Sequence, residues 1–88
     1  MRAEYNIGPR KAIEINGRKR VPDGVTETVL TEVENVKRLS FTKQLKDYLA
    51  IAQERGLRFD LFVRRDTRMS KQLKEALKKK LIHLRYIP

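Results

Sequence analysis

Residues 21–37 read VPDGVTETVLTEVENVK, and residues 21–36 hold no Lys or Arg although the chain carries 21 of them against 11 acids. Four of those acids fall here: Asp23, Glu27, Glu32 and Glu34. The Val and Thr content predicts a strand over residues 27–36. Residues two apart share a face of a strand, so Glu32 and Glu34 project together, roughly 7 Å apart, with Leu30 and Val36 on the same side. Carboxylates among apolar neighbours are costly unless a cation or hydrogen bonds compensate. Asp23 follows Pro22, which cannot donate to a ladder and marks a strand end, and it reaches the same place if the flanking strands pair. Three convergent carboxylates with no histidine or cysteine beside them make a hard oxygen site suited to Mg²⁺ or Mn²⁺ and poorly suited to Zn²⁺. The opposite parity stays open, with Val29, Thr31 and Val33 buried and the two glutamates toward solvent.

Outward from this stretch the periodicity changes twice. Upstream, KAIEINGRKRVP places Asn16-Gly17 between two short runs, a strong hairpin signal, with strands expected over residues 12–15 and 18–21. Downstream, Leu45, Tyr48, Leu49 and Ala52 recur at helical spacing after Ser40 or Thr42 as N-cap, and Gly56 stands where a helix ends. Residues 57–64, LRFDLFVR, read as a well-buried strand, residues 70–80 as a second helix burying Leu73, Ala76 and Leu77, and residues 81–86 as a last strand. The order β-β-β-α-β-α-β describes one α/β (α+β) domain with a mixed central sheet in two or three layers.

Composition narrows the function classes. Eighty-eight residues make a single small domain without cysteine, so disulfides and thiolate metal sites are excluded and a reducing cytosol fits. No apolar run is long enough to span a membrane, and the start MRAEYNIGPRK has no signal-peptide core. A net charge of +10 calls for a polyanionic partner. The cations are spread along the chain rather than gathered on one amphipathic helix, which favours nucleic acid over a membrane surface. His83, the only histidine, reads as a sheet residue, and Tyr48 either packs in the core or faces the carboxylates. No glycine-rich phosphate loop, nucleophile–base pair or zinc-ligand spacing occurs.

Three segments in order, RKRVPD (residues 18–23), TEVENVK (31–37) and TKQLKDY (42–48), resemble the PD-(D/E)xK nuclease superfamily. More narrowly, they are similar to the restriction-endonuclease-fold toxin domains of polymorphic and contact-dependent growth-inhibition toxins. The resemblance implies a restriction-endonuclease-like core and hydrolysis of phosphodiester bonds in DNA or tRNA. It implies a divalent metal, Mg²⁺ or Mn²⁺, on Asp23, Glu32 and the Val33 carbonyl, with Gln44 lining the site. Where the family has its catalytic lysine this chain has Glu34. Three explanations compete: Glu34 itself assists metal or water, Lys37 supplies the charge from beyond the strand, or the exchange inactivates the domain. Phosphate contacts are expected from Arg18, Lys19, Arg20, Lys43, Arg64, Arg65, Lys71, Lys74 and Lys78. Residues 1–11 are short for the helix that opens the superfamily core, with Glu4 its only acid, so the chain reads as the terminal module of something larger. A toxin of this kind acts in the cytoplasm of a target cell and meets a small acidic immunity protein. A non-catalytic nucleic-acid-binding or protein-interaction domain on the same fold is the alternative. Neither the oligomeric state nor the choice between DNA and RNA follows, because phosphate-gripping lysines carry no base information.

Overall fold

The computed structural model describes residues 8–15 and 17–88; Glu4 and Asn16 lie outside them. The elements are β1 (Ile13–Ile15), β2 (Arg18–Arg20), β3 (Gly24–Val25), β4 (Val29–Glu34), β5 (Arg38–Leu39), α1 (Lys43–Arg55), β6 (Arg58–Val63), β7 (Arg68–Met69), α2 (Lys71–Lys78) and β8 (His83–Tyr86). A four-stranded mixed sheet in the order β3-β4-β6-β8 forms the centre, with β3 antiparallel to β4 and the other three strands parallel. The β1–β2 hairpin and the parallel β5–β7 pair are separate two-stranded sheets.

Local chemistry accounts for these boundaries. Gly17 takes φ 76°, which an L side chain resists, at the two-residue connection where Ile15 faces Arg18. The predicted strand over residues 27–36 is shorter than expected, because Thr26 turns the chain. Its N–H donates to the Val29 carbonyl at 2.8 Å and its hydroxyl accepts from the Val29 N–H at 3.0 Å. Glu27 and Thr28 therefore form a turn, and Gly24–Val25 pairs back as β3 where only a bend was expected. Thr42, rather than Ser40, caps α1 by accepting the Leu45 N–H, and Gly56 closes it in the left-handed conformation at φ 69°. Ser70 caps α2 in the same way, but this helix stops at Lys78, and Lys80 takes φ 61°, a conformation usually left to glycine.

The faces of the sheet follow from register. Leu30, Glu32 and Glu34 lie opposite Phe59, Leu61 and Val63, and the Phe59 ring meets Tyr48 of α1 edge-on at 6.4 Å. This is the helix-covered face. One apolar cluster joins it to Leu45, Leu49 and Ala52 of α1 and to Leu73 and Ala76 of α2. On the other face Asp60 is buried beneath Arg58 at 2.8 Å and Arg85 at 3.7 Å, and the Arg85 guanidinium lies 5.5 Å over the Phe62 ring. Long arginine side chains cover that side in place of a helix.

Candidate active site

Pro22, fully buried, ends the run from β2 and delivers Asp23 to the side of β4. The two segments are latched by a reciprocal pair of hydrogen bonds. Asp23 Oδ2 accepts the Val33 N–H at 2.8 Å, and the Asp23 N–H donates to Glu32 Oε1 at 3.2 Å. Glu32 is only 5 % exposed and sits on the helix-covered face. That decides the parity left open by the sequence: Glu32 does not face solvent. Thr31 is buried as well, since β4 is an interior strand.

Burial raises the Glu32 carboxyl to about 9, helped by the neighbouring Asp23 charge and, more weakly, by Glu34. Glu34 is half-buried on the same face. It does not complete the expected three-carboxylate frame: among the described residues no three acids or histidines gather closely enough to hold an ion. Asp23 Oδ1 instead meets Arg10 at 3.4 Å, a partially exposed contact.

The first turns of α1 form the opposite wall. Gln44 Nε2 donates to the Tyr48 hydroxyl at 3.0 Å. Tyr48 satisfies both readings of the sequence, because its ring is buried in the core while its hydroxyl answers to the carboxylates. Burial holds that hydroxyl above the usual phenol range, the Gln44 hydrogen bond opposes the shift, Glu32 and Asp23 add to it, and the Arg20 charge counters it. Asp47, the residue before Tyr48, binds the hairpin arginines. It accepts from Arg18 Nε at 3.1 Å and Nη2 at 2.8 Å, and from Arg20 Nε at 3.2 Å. The Arg18 bond, with Arg20 beside it, holds Asp47 below the ordinary carboxylate range.

Of the other expected site residues, Lys37 is exposed in the bend before β5, with its carbonyl accepting the Arg68 N–H at 2.7 Å. Lys19 is exposed on the hairpin, on the opposite side from Arg18 and Arg20, and Lys43 is exposed in the first turn of α1. Arg64 pairs with Asp66 at 2.9 Å, and Arg65 lies 5.0 Å over the Tyr86 ring. Lys71, Lys74 and Lys78 line the exposed side of α2. Sequence reasoning missed Asp47. Its signal was an acid placed beside the apolar stripe of α1, in a chain whose preceding strand offers two arginines at strand spacing.

What the arrangement can do is set by its donors: two carboxylates fixed to each other, an amide side chain and a phenol, with an arginine charge close by. Mg²⁺ commonly binds one or two carboxylates and keeps several waters, so two carboxylates fit it better than an ion that demands a full protein cage. The buried Glu32, raised by Asp23, is a carboxyl whose ionised form lacks a compensating cation. Comparison with known proteins agrees with the fold. A family model described as restriction endonuclease fold toxin 7 matches residues 2–73. No curated protein and no solved structure matches the chain. The mixed sheet, the two helices and this match over most of the sequence lead to one conclusion: the chain belongs to the restriction endonuclease fold toxin 7 family.

Proposed function

We propose that this domain is a nuclease toxin that hydrolyses phosphodiester bonds in DNA or tRNA with Mg²⁺ or Mn²⁺ held by Asp23, Glu32 and the Val33 carbonyl. The observation that carries the reading is the latch between Asp23 and the Glu32–Val33 step, which joins the family's two acidic positions in one partly desolvated place. When bound, the ion supplies charge stabilisation to the phosphate and lowers the pKa of water. The protein's own part is to hold both carboxylates in register, to gather the polyanion through its net charge of +10, and to orient the nucleotide from Gln44. Glu34, in the lysine position, carries the wrong sign to stabilise negative charge on phosphate. Arg20, pinned by Asp47 and acting on the same Tyr48 hydroxyl as Glu32, is the cation we assign to that task.

A second reading, a disarmed or purely nucleic-acid-binding domain, is favoured by Glu34 alone. Cleavage assays on plasmid DNA and on tRNA with Mg²⁺ or Mn²⁺ separate the two. Cleavage by the native chain that Asp23→Ala abolishes supports the working enzyme. Cleavage that appears only in Glu34→Lys identifies the disarmed form. Metal-indifferent nucleic-acid binding with no cleavage by either chain overturns the nuclease reading. As in other toxins that must be kept safe in the producing cell, the partner implied is an acidic immunity protein covering this basic surface.

A further inference from the structure

β5 and β7 form a parallel pair in which Arg38 stands directly opposite Arg68, and Leu39 opposite Met69. The pair is tied by the Arg68 N–H to the Lys37 carbonyl and by the Ser70 N–H to the Leu39 carbonyl at 3.0 Å. A cleft runs along it, lined by Arg38, Leu39, Ser40, Arg68, Met69 and Ser70. No acid lines this cleft. Like charges directly opposite on adjacent strands are unfavourable, and ordinarily a carboxylate relieves them. Elsewhere the fold follows that rule: Arg10, Arg18, Arg20, Arg58, Arg64 and Arg85 each meet an aspartate. Arg38 and Arg68 are both exposed and, among the described residues, meet none.

Neighbouring strands lie about 4.8 Å apart, so two guanidinium groups in register can close on one phosphate from both sides. The Ser70 hydroxyl oxygen already accepts the Leu73 N–H, which leaves its O–H to donate. Position points the same way. β5 follows the end of β4 and β7 follows the end of β6, so the cleft stands at the carboxyl end of the parallel strands, as does the start of α1 with Gln44. Glu32 is two residues from that end of β4.

We propose that the Arg38–Arg68 cleft is a phosphate subsite that grips a backbone phosphodiester of the bound nucleic acid away from the scissile bond. The assignment rests on the nucleic-acid reading above but not on cleavage, and binding in EDTA separates the two. Fluorescence anisotropy of a labelled single-stranded DNA, and of a duplex, is measured against salt for the native chain and for Arg38→Ala/Arg68→Ala. We expect roughly tenfold or greater loss of affinity near 0.1 M salt, and a salt slope reduced by about 1.4 on the single strand and about 1.8 on the duplex. Arg38→Lys/Arg68→Lys, which keeps the charge but not the fork, recovers the slope and only part of the affinity. The control is Lys11→Ala/Arg55→Ala, which removes equal charge from a cleft that also contains Glu27. Equal losses in both alanine pairs, with melting temperatures preserved, would show bulk charge and overturn the subsite. Unchanged nucleic-acid affinity would overturn it too, as would an effect confined to binding of an acidic polypeptide such as poly-glutamate. Absence of metal-dependent cleavage together with a specific loss in the Arg38/Arg68 variant removes the nuclease reading and leaves the subsite standing.

Discussion

Glu32 shows how one side chain ties stability to function. Its carboxyl titrates near 4.5 when unfolded and about 9 in the folded, metal-free protein. Below the lower value both states are protonated and folding carries no penalty. Between the two values the unfolded chain has released a proton that the native chain still holds, so stability falls as pH rises through this window. At pH 7 the loss is roughly 2–3 kcal/mol. Glu32→Gln keeps an acceptor for the Asp23 N–H and removes the titration, so its urea midpoint should stay nearly flat from pH 5 to 9 while the native midpoint declines. Parallel curves would show that Glu32 does not carry the slope. Metal affinity should rise across the same window, because an ion requires the ionised carboxylate. Asp47 acts in the opposite sense: its lowered value means that its ion pairs stabilise the fold above the ordinary carboxylate range and fail as pH falls below it. At this scale the sequence was informative about Asp23 and Glu32, because Pro22 and the alternation of β4 fix where they point. It could not reveal the Glu32–Asp23 latch or the role of Asp47, since both depend on segments that meet only after folding.

Among the elements, the long periodic ones were legible and the two-residue ones were not. α1 carries four buried positions at helical spacing between a threonine cap and a glycine stop, so its limits could be read directly. β5 and β7 have no periodicity of their own; they exist because the loops after β4 and β6 run side by side. The same reasoning explains why the Arg38–Arg68 cleft was invisible in a linear reading. The hairpin β1–β2 is held to α1 through Asp47, whose carboxylate serves two arginines at once. Asp47→Ala should lower the melting temperature and raise amide hydrogen exchange in β1 and β2 before it does so in β4 and β6; uniform exchange would show that the hairpin is not a separable unit. The end of α2 offers the reverse change. Lys80 occupies a left-handed conformation that costs an L residue about 1 kcal/mol or more, so Lys80→Gly should stabilise the domain by about that amount. For a chain of this size the gain is roughly 4–8 °C in melting temperature.

For the whole molecule the boundary of the family match poses a physical question. The match ends at residue 73, within α2, yet β8 pairs with β6 along Asp60, Leu61, Phe62 and Val63 and completes the central sheet. Residues 74–88 also supply Ala76 and Ile82 to the core, and Arg85 covers both Asp60 and Phe62. Fully burying a large apolar side chain is worth about 1.5–3 kcal/mol, so Ile82 with the partly buried Leu77 and Leu84 accounts for several kcal/mol. A domain of this length has a total stability of roughly 4–13 kcal/mol. Removing residues 74–88 would also leave β6 as an edge strand with Phe62 uncovered and Asp60 short of a cation, an invitation to pairing between chains. A chain ending at residue 73 should therefore lose cooperative thermal unfolding and aggregate, although it retains Asp23, Glu32 and Gln44. Far-ultraviolet circular dichroism through a thermal ramp, with light scattering on the same sample, decides the matter. A sharp, reversible transition in the shortened chain would mean that the matched segment folds without β8 and that the sheet edge at β6 is already protected.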